Sequence, residues 1–247
     1  MIELNQINFS YKECDFRLSF DELKIASNQA VALIGPSGCG KTTLMSLVAG
    51  ILVPQTGAIK VNNVPVHELN DDQRRLFRIQ NIGFIFQDFE LLDYLTLDEN
   101  ILHPFRINSK LELTPKIKKR ARHLAQQLGI SKRLKSYPAK TSQGEQQRAA
   151  IARALLNEPT VILADEPTGN LDPKNKRAIL DILLNYIKGH KATLLVATHD
   201  YDLLENFEQV IDISTALKSE FKNTSNPPTN LKVKAYEELK GAAFKVI

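Results

Sequence analysis

The sequence has little cysteine, no long apolar run and no large excess of either charge. Its two cysteines, Cys14 and Cys39, are too few for a disulfide framework and lack metal-binding spacing, which favours a reducing compartment. No apolar run reaches the roughly eighteen residues that a membrane-spanning helix needs. Residues 1–10 carry no secretory-signal pattern. A net charge of +4 gives no reason to expect nucleic acid binding.

The composition is that of an ordinary globular protein with room for a large core. Hydrophobic residues make up 43% of the chain and charged residues 24%, which excludes disordered and fibrous classes. A length of 247 residues allows one large α/β domain, or a core with a subdomain, but leaves little room for two unrelated domains.

Strand-like stretches in both halves of the chain enclose a helical middle. Short apolar runs predict strands at 2–4, 16–20, 30–34, 58–62, 82–87, 160–164, 193–198 and 209–213. Helices are predicted at 42–49 and 174–188, and this alternation is typical of a sheet covered by helices. Between about 88 and 156 only helical signals occur, including the Thr96–Glu99 capping box and a helix start at Thr114-Pro115.

This distribution predicts one domain over residues 1–213 that has two parts. The sheet core would comprise residues 1–87 and 157–213, and a helical subdomain would comprise residues 88–156. Residues 214–247 contain a polar, proline-bearing segment and are predicted to form a linker and tail.

A glycine-rich loop follows the apolar strand 30–34 and precedes the helix 42–49. It fits the pattern G-x-x-x-x-G-K-[ST] and reads Gly35-Pro36-Ser37-Gly38-Cys39-Gly40-Lys41-Thr42. The glycines let consecutive N–H groups face an anion, and the helix N-terminus adds partial positive charge. Lys41 would contact phosphate oxygens, and Thr42 would ligate Mg²⁺. The same helix N-terminus is expected to favour the thiolate of Cys39.

Two adjacent acidic residues follow the apolar strand 160–164. The carboxyl edge of a parallel sheet is where such sheets bind ligands, so Asp165 and Glu166 are candidate site residues. Asp165 is predicted to bind Mg²⁺ through its water shell. Glu166 is predicted to point the other way, because strand side chains alternate, and to polarise an attacking water.

A further segment distinguishes between the many classes of nucleotide-binding protein. It reads Thr141-Ser142-Gln143-Gly144-Glu145-Gln146-Gln147-Arg148. Ser142 and Glu145 predict a capped helix start, and Gly144 in the first turn is best explained by close backbone approach to an anion. With the loop and the paired acids, this segment resembles the signature sequence of ATP-binding-cassette ATPases. It departs from that signature at Thr141 and Gln143, where the family usually has leucine and glycine.

The resemblance extends over about residues 2–213 and implies roles for further residues. Tyr11 would stack on adenine, and Gln87 would reach Mg²⁺ and the γ-phosphate region. Asp172 would cross a dimer interface, and His199 would contact the γ-phosphate. The implied fold is a P-loop NTPase (RecA-like) α/β core with a mixed sheet, a helical subdomain and a small N-terminal antiparallel β part.

The resemblance also implies cofactors, partners and a location. ATP and Mg²⁺ would be bound between two copies of the chain, with residues 35–43 of one copy facing Ser142 and Gly144 of the other. Lys41, Gln87, Glu166 and His199 would form the catalytic set. Separate permease subunits would span the membrane, which would place this chain at its cytoplasmic face.

Three segments, 86–92, 95–100 and 166–172, resemble the branch that serves lipoprotein release, macrolide and peptide export, and cell division. The ATPase subunit of an importer is the alternative within the family, although importer ATPases often carry a regulatory domain and the segment after Ile213 is too short for one. A soluble cassette ATPase acting on nucleic acid or ribosomes is another, and the basic run 116–122 is its only support. The signature segment argues against a P-loop kinase.

Overall fold

A four-stranded antiparallel sheet is built from the N-terminal part of the chain. Its strands are β1 (Ile2–Ser10), β2 (Arg17–Ile25), β4 (Thr56–Val61) and β5 (Val64–Pro65), in the order β2-β1-β4-β5.

The computed structural model describes residues 1–12, 16–108, 110–169, 171 and 173–216.

A five-stranded parallel sheet forms the centre of the described structure. Its strands are β3 (Ala30–Ile34), β6 (Ile82–Ile85), β7 (Val161–Asp165), β8 (Thr193–Ala197) and β9 (Gln209–Asp212), in the order β6-β7-β8-β3-β9. Every residue of β7 and β8 is buried, as expected for inner strands of a sheet that is covered on both faces.

Alternate side chains of the parallel sheet enter two different hydrophobic clusters. Val161 and Leu163 of β7 lie in the cluster shared with the antiparallel sheet, whereas Ile162 and Ala164 lie in the cluster formed with the helices of the middle region. This is the two-residue periodicity of a strand. The parallel sheet therefore joins the two parts of the molecule.

Six α-helices of the described residues cover the sheets. They are α1 (Lys41–Val48), α2 (Asp71–Asn81), α3 (Leu97–Ile107), α4 (Pro115–Gln127), α5 (Gln143–Leu155) and α6 (Pro173–His190). Within the described part of the chain, none of these helices has the length and hydropathy that a membrane span requires.

Local capping signals set where the helices of the middle region begin. The capping boxes Thr96–Glu99 and Ser142–Glu145 are both formed, and Thr114 caps α4 with a proline in its first turn. Helix α2 was not predicted from the sequence. Its own capping box, Asn70 with Gln73, is the signal that could have located it.

The predicted fold class is confirmed, with parallel and antiparallel strands divided between the two sheets. The strand predicted at 82–87 is too long, because β6 ends at Ile85 and the chain then turns through Phe89 and Glu90, both at positive φ. Cys14, Asp172 and the chain from 217 onward lie outside the described residues.

Candidate functional site

The glycine-rich loop joins β3 to α1 at the carboxyl edge of the parallel sheet. Gly40 caps α1 at a φ of 99°, and a Cβ there would lie 2.8 Å from the Phe16 ring. Only glycine satisfies both conditions. No acidic side chain occupies the first turn of α1, so the N–H groups of that turn and its positive dipole end are directed at the loop.

Lys41 is held across this loop by two main-chain oxygens. Its ammonium donates hydrogen bonds to the carbonyls of Gly35, at 2.7 Å, and Pro36, at 3.2 Å. Pro36, Ser37 and Gly38 are exposed at the rim. The loop thus combines helix N–H groups and one primary cation, which is the donor set that phosphate oxygens require.

Thr42 and Asp165 bring the loop and the paired acids into direct contact. The Thr42 hydroxyl donates to Asp165 Oδ2 at 2.5 Å. Asp165 ends β7 and is only 4% exposed. Burial raises the pKa of this carboxyl, and the nearby Glu166 charge raises it further, while the Thr42 hydrogen bond and Lys41 oppose the shift.

The Thr42–Asp165 pair fits a magnesium ion by its chemistry. Hydroxyl and carboxylate oxygens are the hard ligands that Mg²⁺ takes, usually together with phosphate oxygens and water. A bound cation would also compensate the buried Asp165 charge. Gln87, the third predicted ligand, lies exposed in the turn after β6. No cluster of three or more His, Cys, Asp or Glu ligands occurs in the described residues, so protein side chains there do not build a closed metal cage.

Glu166 and His199 form a second pair at the same sheet edge. His199 Nδ1 lies 2.8 Å from Glu166 Oε1, and the His199 side chain is 68% exposed while that of Glu166 is 11% exposed. The Glu166 N–H donates to the Ala197 carbonyl at 3.0 Å. Its φ of 49° takes the residue out of the strand conformation. The side chains of Asp165 and Glu166 contact different partners, as predicted. Glu166 has a left-handed backbone, however, so the alternation of side chains along a strand is not the reason.

One carboxylate oxygen of Glu166 is available for further bonding. Glu166 Oε2 is buried and has no hydrogen-bond partner among the described residues. A buried carboxylate oxygen without a donor is costly, and such atoms recur at functional sites. The other oxygen is engaged by His199, so the orientation of the carboxyl group is fixed.

Tyr11 lies beside the start of α1. Its hydroxyl is 3.1 Å from the Thr43 hydroxyl. Its ring meets Phe9 edge-on at 4.9 Å and Phe16 at 5.7 Å. The structure therefore places this aromatic next to the phosphate loop.

Ser142 and Gly144 lie at the start of α5 and away from these contacts. The described hydrogen bonds of the Ser142 side chain and N–H go to Glu145, and Arg133 donates to the same carboxylate at 2.9 Å. No described hydrogen bond joins Ser142 to residues 35–43. A Cβ at Gly144 would meet the Arg148 guanidinium at 3.4 Å and Leu171 at 3.5 Å, both movable side chain atoms, so packing within one chain does not strictly require glycine there.

The expected thiolate of Cys39 is wrong. The side chain is 1% exposed, and burial raises the pKa of its thiol more than Lys41 and the loop N–H groups lower it. The helix N-terminus is present as predicted. Desolvation outweighs it because the Cys39 side chain faces the hydrophobic cluster below the loop.

Arg153 of α5, which matches no functional motif in the sequence, contacts the turn that carries Gln87. It is 8% exposed and donates to the Phe89 and Glu90 carbonyls. Its sequence signal is an arginine inside the otherwise apolar run 149–156, where a buried guanidinium needs acceptors.

Comparisons with known proteins show the family to which the chain is similar. A family model described as ABC transporter matches residues 18–169. The chain is similar to the uncharacterized ABC transporter ATP-binding protein YvcR of Bacillus subtilis, with 43% identity over 183 residues, 74% of this chain and 70% of that one. It is also similar to the lipoprotein-releasing system ATP-binding protein LolD 1 of Rhodopirellula baltica, with 37% identity over 216 residues, 86% and 93% of the two chains.

Among solved structures, the chain resembles the dimeric ATP-binding cassette MJ0796 in a post-hydrolysis state bound to ADP and Pi. The TM-score is 0.80 at 30% identity, covering 92% of this chain and all of that one. A second dimeric structure of the same cassette gives a TM-score of 0.78 at 31% identity, covering 87% and 95%.

Proposed function

This chain belongs to the ABC transporter family as an ATP-binding, ATP-hydrolysing subunit, and we propose which of its residues bind and hydrolyse the nucleotide. The observation that carries the assignment is the meeting of the phosphate loop, Asp165 and the Glu166–His199 pair at one sheet edge. Such subunits act in pairs with separate membrane permeases.

The phosphate groups lie against the loop and the first turn of α1. The N–H groups around Gly38 and Gly40 bind phosphate oxygens, and Lys41 exchanges its two loop carbonyls for the β- and γ-phosphates. Thr42 and Asp165, with Gln87, would hold a Mg²⁺ ion, which would neutralise phosphate charge when bound. Tyr11, which lies beside Thr43, stacks on the adenine.

Hydrolysis depends on the Glu166–His199 pair. Glu166 Oε2, buried and without a described donor, accepts a hydrogen bond from the attacking water and orients it. His199 fixes the carboxyl group through Oε1 and, being largely exposed, contacts the γ-phosphate with its other ring nitrogen. Lys41 and His199 stabilise the charge of the transferred phosphoryl group.

The nucleotide is enclosed by two copies of the chain. Ser142 and Gly144 of one copy cover the phosphate loop of the other. Three observations support this arrangement. Ser142 is exposed and makes no described bond to its own loop, Gly144 has no strict packing reason within one chain, and the similar cassette MJ0796 is dimeric.

The branch, domain boundaries and location are part of the proposal. Similarity to a lipoprotein-releasing ATPase over 86% of the chain favours the lipoprotein-release and export branch over an importer. The helices of 88–156 act as a subdomain on the core 1–87 and 157–213. They share one hydrophobic cluster with the parallel sheet and α6, whereas the antiparallel sheet belongs to the other cluster. The permease holds the chain at the cytoplasmic face of the membrane.

Replacing Glu166 by glutamine tests the assignment. The side chain keeps its shape and the loop is untouched, so ATP affinity should stay within about threefold while kcat falls at least about a hundredfold. ATP, but not ADP, should then shift the variant to a dimer in size-exclusion chromatography. Glu205→Gln, at an exposed position, is the matched control. Near-normal turnover of Glu166→Gln would remove Glu166 from the catalytic role.

A further inference from the structure

The turn after β6 has an unfavourable backbone conformation that is stabilised by a residue distant in sequence. Phe89 and Glu90 have φ values of 63° and 48°, and consecutive left-handed residues are rare for side chains other than glycine. Within the turn, the Phe89 N–H donates to the Phe86 carbonyl and the Glu90 N–H donates to the Asp88 carbonyl. A turn of this kind persists only where its surroundings favour it.

The guanidinium of Arg153 stabilises this turn. It donates to the Phe89 carbonyl at 2.6 Å and also to the Glu90 carbonyl, so both left-handed residues present their oxygens to one buried cation. Burial lowers the pKa of Arg153 to about 10, which leaves it charged at neutral pH. Without the turn the buried guanidinium would lose these two acceptors, and without Arg153 the two carbonyls would lose this donor.

Arg153 belongs to the helix that begins with the signature residues. Helix α5 also packs closely on β6, since a Cβ at Gly83 would lie 2.7 Å from the Ala154 carbonyl. The strand that leads into the turn and the turn itself are thus both held by the same end of α5. Gln87 lies between these two points of attachment and is exposed.

A second buried side chain fixes the following segment in the same way. The Asn100 carboxamide accepts from the Leu92 N–H at 2.7 Å and donates to the Leu92 and Leu95 carbonyls. Both attachments go through main-chain atoms. The side chains of Gln87 and Tyr94 consequently remain at the surface, Tyr94 being 73% exposed.

We propose that Arg153 is a positioning residue. It fixes the turn that carries Gln87 relative to α5, so that the nucleotide contacts of Ser142 and of Gln87 form at the same time. The proposal rests on the function proposed above for Gln87 and Ser142. Arg153 is buried against the turn and is not among the residues proposed to bind nucleotide. Its loss should impair the catalytic step rather than ATP binding, which depends on the loop of residues 35–43.

The test compares Arg153→Met, which fills similar volume without the donors, with Arg153→Lys, which keeps a cation and fewer donors. For Arg153→Met, kcat should fall at least about tenfold while KM and ATP affinity, measured with Glu166 intact, stay within about threefold. Arg153→Lys should recover part of kcat. Arg177→Met, which removes an exposed arginine from α6, should match the unmodified protein.

Gln87→Ala separates this proposal from the function on which it rests. If Arg153 acts through Gln87, the double variant Arg153→Met/Gln87→Ala should be no slower than Gln87→Ala alone. Additive losses, an unchanged kcat in Arg153→Met, or equal losses of affinity and kcat would overturn the proposal. A fully active Gln87→Ala would instead refute the role of Gln87. Where Arg153→Met does not fold, the same cycle with Arg153→Lys decides.

Discussion

Asp165→Asn should make the nucleotide-free protein more stable while it impairs hydrolysis. The carboxyl group is 4% exposed, and burial is the main cause of its raised pKa. An amide has nearly the same shape and can still accept the hydrogen bond from Thr42. The variant therefore removes a buried charge and keeps the contact.

The size of the gain follows from two opposing effects. Replacing a buried ion pair by uncharged side chains of similar volume is often neutral or stabilises a protein by about 1–4 kcal/mol. The Thr42 hydrogen bond and the Lys41 charge already offset part of the desolvation of Asp165, whereas the Glu166 charge adds to it. We expect a gain near the lower end, about 1–2 kcal/mol, or about 2–8 °C in Tm for a domain of this size.

The pH dependence has a definite sign. Because the folded pKa of Asp165 is raised, the folded state binds more protons than the unfolded state between the unfolded pKa of about 3.9 and the folded value. Stability from this group therefore falls as pH rises through that window. The advantage of Asp165→Asn should be full above the window and should shrink as pH falls towards about 4.

Thermal unfolding without nucleotide at several pH values measures the gain in stability. ATPase assays with Mg²⁺ should show at least about a tenfold loss of activity, the scale expected when a residue that acts on a metal through its water shell is lost. Asp181→Asn, on the exposed face of α6, controls for net charge and should change Tm by about 1 °C or less. A lower Tm for Asp165→Asn at neutral pH would show that the charge of Asp165 stabilises the apo protein, and the reasoning from burial would fail.

Cys39, buried and with a raised pKa, should react with iodoacetamide at neutral pH at least about tenfold more slowly than after unfolding in urea; rapid labelling of the native protein, followed by peptide mapping, would contradict its burial. Gly40→Ala should abolish nucleotide binding and lower Tm, because both its φ and the Phe16 contact exclude a Cβ. Lys41→Ala and Ser142→Arg should each be inactive, yet mixing them should restore single-turnover hydrolysis in mixed dimers, since one site then joins an intact loop to an intact signature. No phosphate release from confirmed mixed dimers would refute a site shared between chains.

Much of the site could be predicted from the sequence because its parts are short local motifs. The loop of residues 35–42 specifies its own backbone through glycine, and its strand and helix neighbours follow directly in the chain. The capping boxes at Thr96 and Ser142 are likewise closed within three residues. Where the bonding partners are near in sequence, the residue pattern contains the whole interaction.

The turn after β6, by contrast, is not specified by its local sequence. The apolar run 82–87 predicts a longer strand, and nothing local reveals that Phe89 and Glu90 adopt positive φ. Their partner, Arg153, lies more than sixty positions further along the chain. Its side chain becomes buried only when α5 packs on β6, so the turn and the arginine are defined by tertiary contacts.

The sequence by itself determined the phosphate loop, the paired acids, the signature helix start and the α/β class, because each depends on backbone conformation and on hydrogen bonds between near neighbours. Only the tertiary structure decided that Thr42 bonds Asp165, that His199 orients Glu166, and that Cys39 is too buried to be a thiolate. Those outcomes depend on which distant groups share a low-dielectric space, and desolvation there outweighs the local dipole of α1.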